Sequence, residues 1–150
     1  MGRTAVTRGS LYNGSITTAI IHLLISVFCV LLGIYIMKEF SLDEVEANLF
    51  LLFAVVGILA SSCVLLSLFT RSSVLCFAGF LLAAFEAIGF IVLFGLYFAG
   101  VLDETKALMV GDQSFLMAIT AVEIFTTLFF AFAYSRSFKF LFPGEDENLA

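Results

Sequence analysis

Three residues in this chain carry ionisable side chains inside stretches that are otherwise free of Asp, Glu, Lys and Arg. His22 lies between Arg8 and Lys38, Glu86 between Arg71 and Asp103, and Glu123 between Asp112 and Arg136. An acid near a bilayer centre costs roughly 2.5–3.5 kcal/mol on insertion scales, and such residues face a bundle interior or a polar partner. Counted along the predicted helices, Glu86 lies about 18 Å from the start of the third and Glu123 about 16 Å from the end of the fourth. Antiparallel neighbours would bring the two carboxyls to nearly one depth, with His22 about 10 Å deep on its own helix and within reach of a hydrogen bond. Three readings fit this spacing, one of them a contact to a partner helix or a lipid headgroup. Paired carboxylates bind a proton or a cation, since two such groups in low dielectric share a proton rather than both ionise. Alternatively, each is a protonated acid hydrogen-bonded to Thr120, Thr127, a serine or a backbone carbonyl, fixing helix register. One His and three scattered Cys without ligand spacing make no metal site. No nucleophile elbow, phosphate loop or HExxH motif is present, so no catalytic residue, cofactor or metal is expected.

The elements that must position these residues follow from composition. The 150 residues are 62% apolar and 13% charged, with a mean hydropathy of +1.15, whereas soluble chains carry about 25% charged residues. Disorder needs the opposite composition. The charge gaps predict spanning helices near 15–37, 48–70, 74–99 and 115–135, each long enough for a hydrocarbon core of about 30 Å. No stretch alternates polar and apolar residues as a barrel strand would. The predicted fold class is all-α, a polytopic integral membrane protein forming one antiparallel four-helix transmembrane bundle across the whole chain.

Small and polar residues should mark the inward faces, because helices in lipid associate by close backbone approach and interhelical hydrogen bonds. The predicted stripes are Thr18, His22, Ser26, Cys29 and Gly33 in the first helix, and Ala54, Gly57 and Ser61 in the second. They continue as Gly79, Ala83, Glu86, Gly89 and Phe90 in the third, and Thr120, Glu123, Thr126 and Thr127 in the fourth. Tyr12, Tyr35, Tyr97 and Tyr134 fall at span ends, where an amphipathic ring suits the headgroup layer. Arg3, Arg8, Arg71, Arg136 and Lys139 lie on one side of this threading, against Lys38 and Lys106 on the other. Positive residues favour the cytoplasmic side, so short cytoplasmic N- and C-terminal tails are expected. The acidic residues Glu39, Asp43, Glu44, Glu46, Asp103, Glu104 and Asp112 then face outward or into a lumen.

Further signals are weak or absent. A net charge of −5 excludes a basic nucleic-acid-binding face. The first apolar stretch reads as a signal anchor rather than a cleaved peptide, and Val6 stands where myristoylation needs Ser or Thr. Asn13-Gly14-Ser15 matches a glycosylation sequon on the wrong side of the predicted membrane. Cys29, Cys63 and Cys76 all fall within or beside spans, so the outer loops carry no disulfide. The acidic tail from Glu145 reads as solvated, and Ala150 stands where a dileucine signal needs its second aliphatic residue.

Gly14-Ser15-Ile16 at the head of the first helix, the basic turn Thr70-Arg71-Ser72-Ser73, and Ala84-Phe85-Glu86-Ala87 resemble the lysosome-associated protein transmembrane group and its invertebrate relatives. MARVEL proteins share the threading. The chain departs from the former group by lacking its cysteine-rich entry to the first helix and its Pro-Tyr tail motifs. The expected location is an endolysosomal or plasma membrane. The expected function is a non-enzymatic tetraspan organiser or accessory subunit that binds membrane lipids, other membrane proteins or further copies of itself. The competing expectation is a proton-linked transporter or channel subunit using Glu86 and Glu123.

Overall fold

A computed structural model of the chain describes the backbone of residues 2–39, 44–102 and 110–142, and side chains over 9–38, 48–99, 115 and 117–142. Four α-helices account for nearly all of it: α1 (Gly2–Glu39), α2 (Glu44–Thr70), α3 (Ser73–Leu102) and α4 (Val110–Leu141). Within them, Gly9–Lys38, Asn48–Thr70, Ser73–Ala99 and Met117–Leu141 are long and apolar enough to cross a membrane. This is an all-α, four-span, multi-pass architecture, with no strand among the described residues. Asp43, Asp103, Glu104, Lys106 and the acidic tail lie outside the described residues, as do the side chains of Arg3, Arg8, Glu39, Glu44, Glu46 and Asp112.

The helices run unbroken because the sole proline, Pro143, follows the last of them, and because hydroxyls inside the spans return their protons to their own helix. Thr18 donates to Gly14 O at 2.7 Å, Ser61 to Gly57 O at 2.9 Å and Thr126 to Val122 O at 2.8 Å. In hydrocarbon a free hydroxyl has no water to bond, so back-bonding is the local solution. Two helices extend well past their predicted limits. α1 begins at Gly2 rather than near 15 and α4 continues to Leu141 rather than ending near 135, while the other limits move by five residues or fewer, because helical hydrogen bonding does not stop at the edge of the hydrocarbon.

The turn between α2 and α3 is built by two residues. Arg71 adopts φ 55°, the left-handed conformation that ends many helices, and Ser72 N–H donates to Ser67 O at 3.1 Å, closing the six-residue ring of a Schellman cap. Ser72 then caps α3, its Oγ accepting from Leu75 N–H at 3.5 Å.

Successive helices pack as antiparallel neighbours, and α4 returns to α1. At the end where α1 starts and α4 finishes, the tail end, Ser15 Oγ meets Ser137 Oγ at 2.6 Å and Tyr12 OH donates to Leu68 O at 3.0 Å. The buried row of α1 is Ser15, Ala19, His22, Ser26, Cys29, Gly33 and Ile36. Its steps of four and three are those of bundle packing. Thr18, expected in this row, is displaced from it by Ala19 and lies half-buried. The predicted stripes of α2 and α3 are buried throughout, whereas in α4 Thr126 is only partly so. Outward faces are apolar, with Phe125 76% exposed and Val74 73%, as expected where the surrounding medium is lipid.

Two apolar clusters fill the interior. One, toward the tail end, is centred on Ala60, Val64, Ala83 and Phe130; the other, toward the loop end, on Phe50, Phe53, Phe90 and Leu93. His22, Ser26, Gly57 and Glu86 occupy the layer between them.

Candidate functional site

The polar layer draws one residue or more from every helix. His22 of α1 is 1% exposed, Glu86 of α3 is 2% and Tyr134 of α4 is 1%. The imidazole joins the other two: Nδ1 is 2.7 Å from Tyr134 OH and Nε2 is 3.0 Å from Glu86 Oε2. Phe130, one turn before Tyr134, stacks on the imidazole with centroids 4.3 Å apart and planes inclined by 14°. The ring is therefore fixed in plane by two hydrogen bonds and in depth by an aromatic face.

Gly57 of α2 closes the fourth side. A Cβ there would run into both Glu86 Oε1 and Ser26 Oγ. The missing side chain is what lets the carboxylate and the serine approach the α2 backbone. Ser26 Oγ is buried and has no hydrogen-bond partner among the described residues, so it faces the second carboxylate oxygen across the space that Gly57 leaves.

The chemistry of this arrangement is set by proton count. With a neutral imidazole, Tyr134 O–H donates to Nδ1 and Nε2–H donates to the Glu86 carboxylate. With one proton more, Nδ1–H donates to Tyr134 oxygen, and Nε2 and Glu86 share the remaining proton, either as an imidazolium–carboxylate pair or as a neutral acid donating to the ring. Both states keep the His22 contacts, and the second leaves the pair without net charge. Removing one partner of such a buried pair leaves the other unsatisfied, at a cost of about 1–3 kcal/mol.

Glu123 occupies a different environment. It does not join the His22 hydrogen bonds, although its charge and that of Glu86 are near enough to interact. Its carboxyl lies against the Cys29 thiol, and both line a cleft of about 290 Å³ between α1 and α4. The remaining walls are apolar: Phe28 and Leu32 from α1, and Phe115, Ala118, Ile119 and Val122 from α4. Phe28 and Val122 are more than 60% exposed, so the cleft opens sideways toward lipid.

The expected Glu86–Glu123 pair is therefore divided between two sites. His22 bonds Glu86 directly, while Glu123 keeps to the cleft. Thr120 and Thr127 are buried beside them, but their hydroxyls donate to Met117 O at 3.0 Å and Glu123 O at 2.7 Å, on their own helix. Sequence reasoning placed Tyr97 and Tyr134 at the membrane surface; both turn inward and are 1% exposed, whereas Tyr35 is exposed as expected. The signal that identifies Tyr134 is its place in the α4 row of Thr120, Glu123, Thr127 and Ser137. Among the described residues, no three His, Cys, Asp or Glu side chains come together as metal ligands.

The fold and the site define a class, a four-span all-α membrane protein with a buried His–Glu–Tyr centre. Compared with protein-family models, curated proteins and solved structures, the chain has no match in any of the three.

Proposed function

We propose that this chain is a non-enzymatic tetraspan organiser or accessory subunit that binds other membrane proteins. The excess of Lys and Arg on the side of the two termini supports a cytoplasmic location for both, in an endolysosomal or plasma membrane. The observation that carries this reading is the disposition of the intramembrane polar groups. His22, Glu86 and Tyr134 satisfy one another inside the bundle, and the cleft beside them opens laterally between two helices. Transporters build their sites on broken helices at repeat interfaces, and all four helices here are continuous. Purification of the tagged full chain in a mild detergent tests the proposal. A membrane protein recovered in stoichiometric amount supports it, and a chain that elutes monomeric and alone from every source contradicts it.

A second reading, a proton-linked transporter or channel subunit, is favoured by one feature. The polar row from Tyr134 through His22, Glu86 and Ser26 to Cys29 and Glu123 runs from the bundle centre to the cleft. Proteoliposomes decide it: this reading requires pH-gradient-driven flux that Glu86→Gln and Glu123→Gln reduce, and flux equal to that of empty liposomes ends it.

A further inference from the structure

We infer that the cleft between α1 and α4 receives a transmembrane helix of a partner protein that carries a single Lys or Arg, with Glu123 as the counter-charge. The inference rests on the proposed partner-binding function and names the chemistry of the partner. Every lining group other than Glu123 and Cys29 is a hydrocarbon or aromatic side chain, so the walls suit an apolar helix and the floor suits one polar group. Glu123 is 8% exposed, and the thiol beside it is too weak a donor to offset a carboxylate in hydrocarbon. Unlike Glu86, it has no histidine bonded to it. A proton or a cation neutralises such an acid, and intramembrane acids are found paired with cationic groups.

Depth decides between a lipid and a helix as the source of that cation. Glu123 lies about eight residues inside the span predicted to begin near residue 115, or roughly 12 Å from its edge. Headgroup amines and hydroxyls sit at the membrane surface, above this level, and acyl chains at this level carry no donor. A side chain projecting from a neighbouring helix brings one there. Ala118, small and exposed in the cleft wall, leaves room for close backbone approach.

The test uses the full chain in phosphatidylcholine nanodiscs and synthetic Leu/Ala transmembrane peptides, one bearing a single Lys at the depth of Glu123 and one bearing Leu there. Energy transfer between labelled chain and peptide reads binding. The expected result is a preference of at least about tenfold for the Lys peptide, lost in Glu123→Gln and retained in Glu86→Gln. Equal binding of the two peptides overturns the inference, as does a preference that survives Glu123→Gln. Displacement of the Lys peptide by added phospholipid or sterol, with the preference gone, overturns it in favour of a lipid occupant. Co-purification keeps this separate from the broader proposal: a native partner recovered equally with wild type and Glu123→Gln leaves partner binding standing and removes only the role of Glu123.

Discussion

His22 is held from both sides of its ring, and that geometry assigns unequal roles to its partners. The contact to Glu86 at 3.0 Å joins opposite charges when the ring is protonated, whereas the contact to Tyr134 at 2.7 Å joins a neutral hydroxyl to the other nitrogen. Interhelical hydrogen bonds in membrane proteins contribute about 0.6 kcal/mol on average and about 1.7 at most. Tyr134→Phe keeps the aromatic packing on Phe130 and deletes only the hydroxyl. It is expected to lower unfolding free energy in detergent by an amount within that range, measured by titration with a denaturing surfactant; an unchanged transition would show that Nδ1 gains nothing from Tyr134. His22 and Glu86 were legible in the sequence because an ionisable group stands out against hydrocarbon. Tyr134 was not, because a tyrosine near a span end is equally at home in the headgroup layer, and only the direction of its side chain separates the two. Residue types alone likewise could not assign Glu86 to His22 and Glu123 to the cleft, since that choice depends on how α1 and α4 are rotated about their axes.

At the scale of the helices, small residues set how closely the backbones approach. Gly79 lies against Ala60 O and Val64, Gly89 against the Phe53 ring, and Gly57 against the polar layer itself, whereas Gly95 has nothing within 4 Å of where a Cβ would stand. Gly57→Ala therefore forces Glu86 or Ser26 aside, and over-packing of this kind costs about 1–3 kcal/mol. Gly95→Ala adds a methyl to open space and should be neutral or stabilising by up to about 1 kcal/mol, as glycine is a poor helix former. Measuring both in one detergent checks the assignment, and equal effects would show that Gly57 does not hold space for the polar layer. The four helices were evident from the charge gaps, since lipid leaves few alternatives to a helix. Their ends were less so, because the span reading stops where hydrophobicity does while α1 and α4 continue. Thr18 was misplaced for a related reason. A run of steps of four drifts around the helix, and the packed row instead alternates four and three, which selects Ala19.

Across the whole molecule, the two intramembrane acids occupy different surroundings. Two apolar clusters enclose a layer in which Glu86 joins α1, α3 and α4 through His22 and Tyr134, and Glu123 lines a lateral cleft between α1 and α4. The most direct test is the unfolding free energy of Glu86→Met and Glu123→Met, side chains of similar size without charge, compared in one micelle. Glu86→Met leaves His22 Nε2 buried and unpaired and is expected to cost about 1–3 kcal/mol. Glu123→Met removes an acid from apolar surroundings and is expected to leave stability unchanged or raise it. A loss in Glu123→Met as large as that in Glu86→Met would contradict the account.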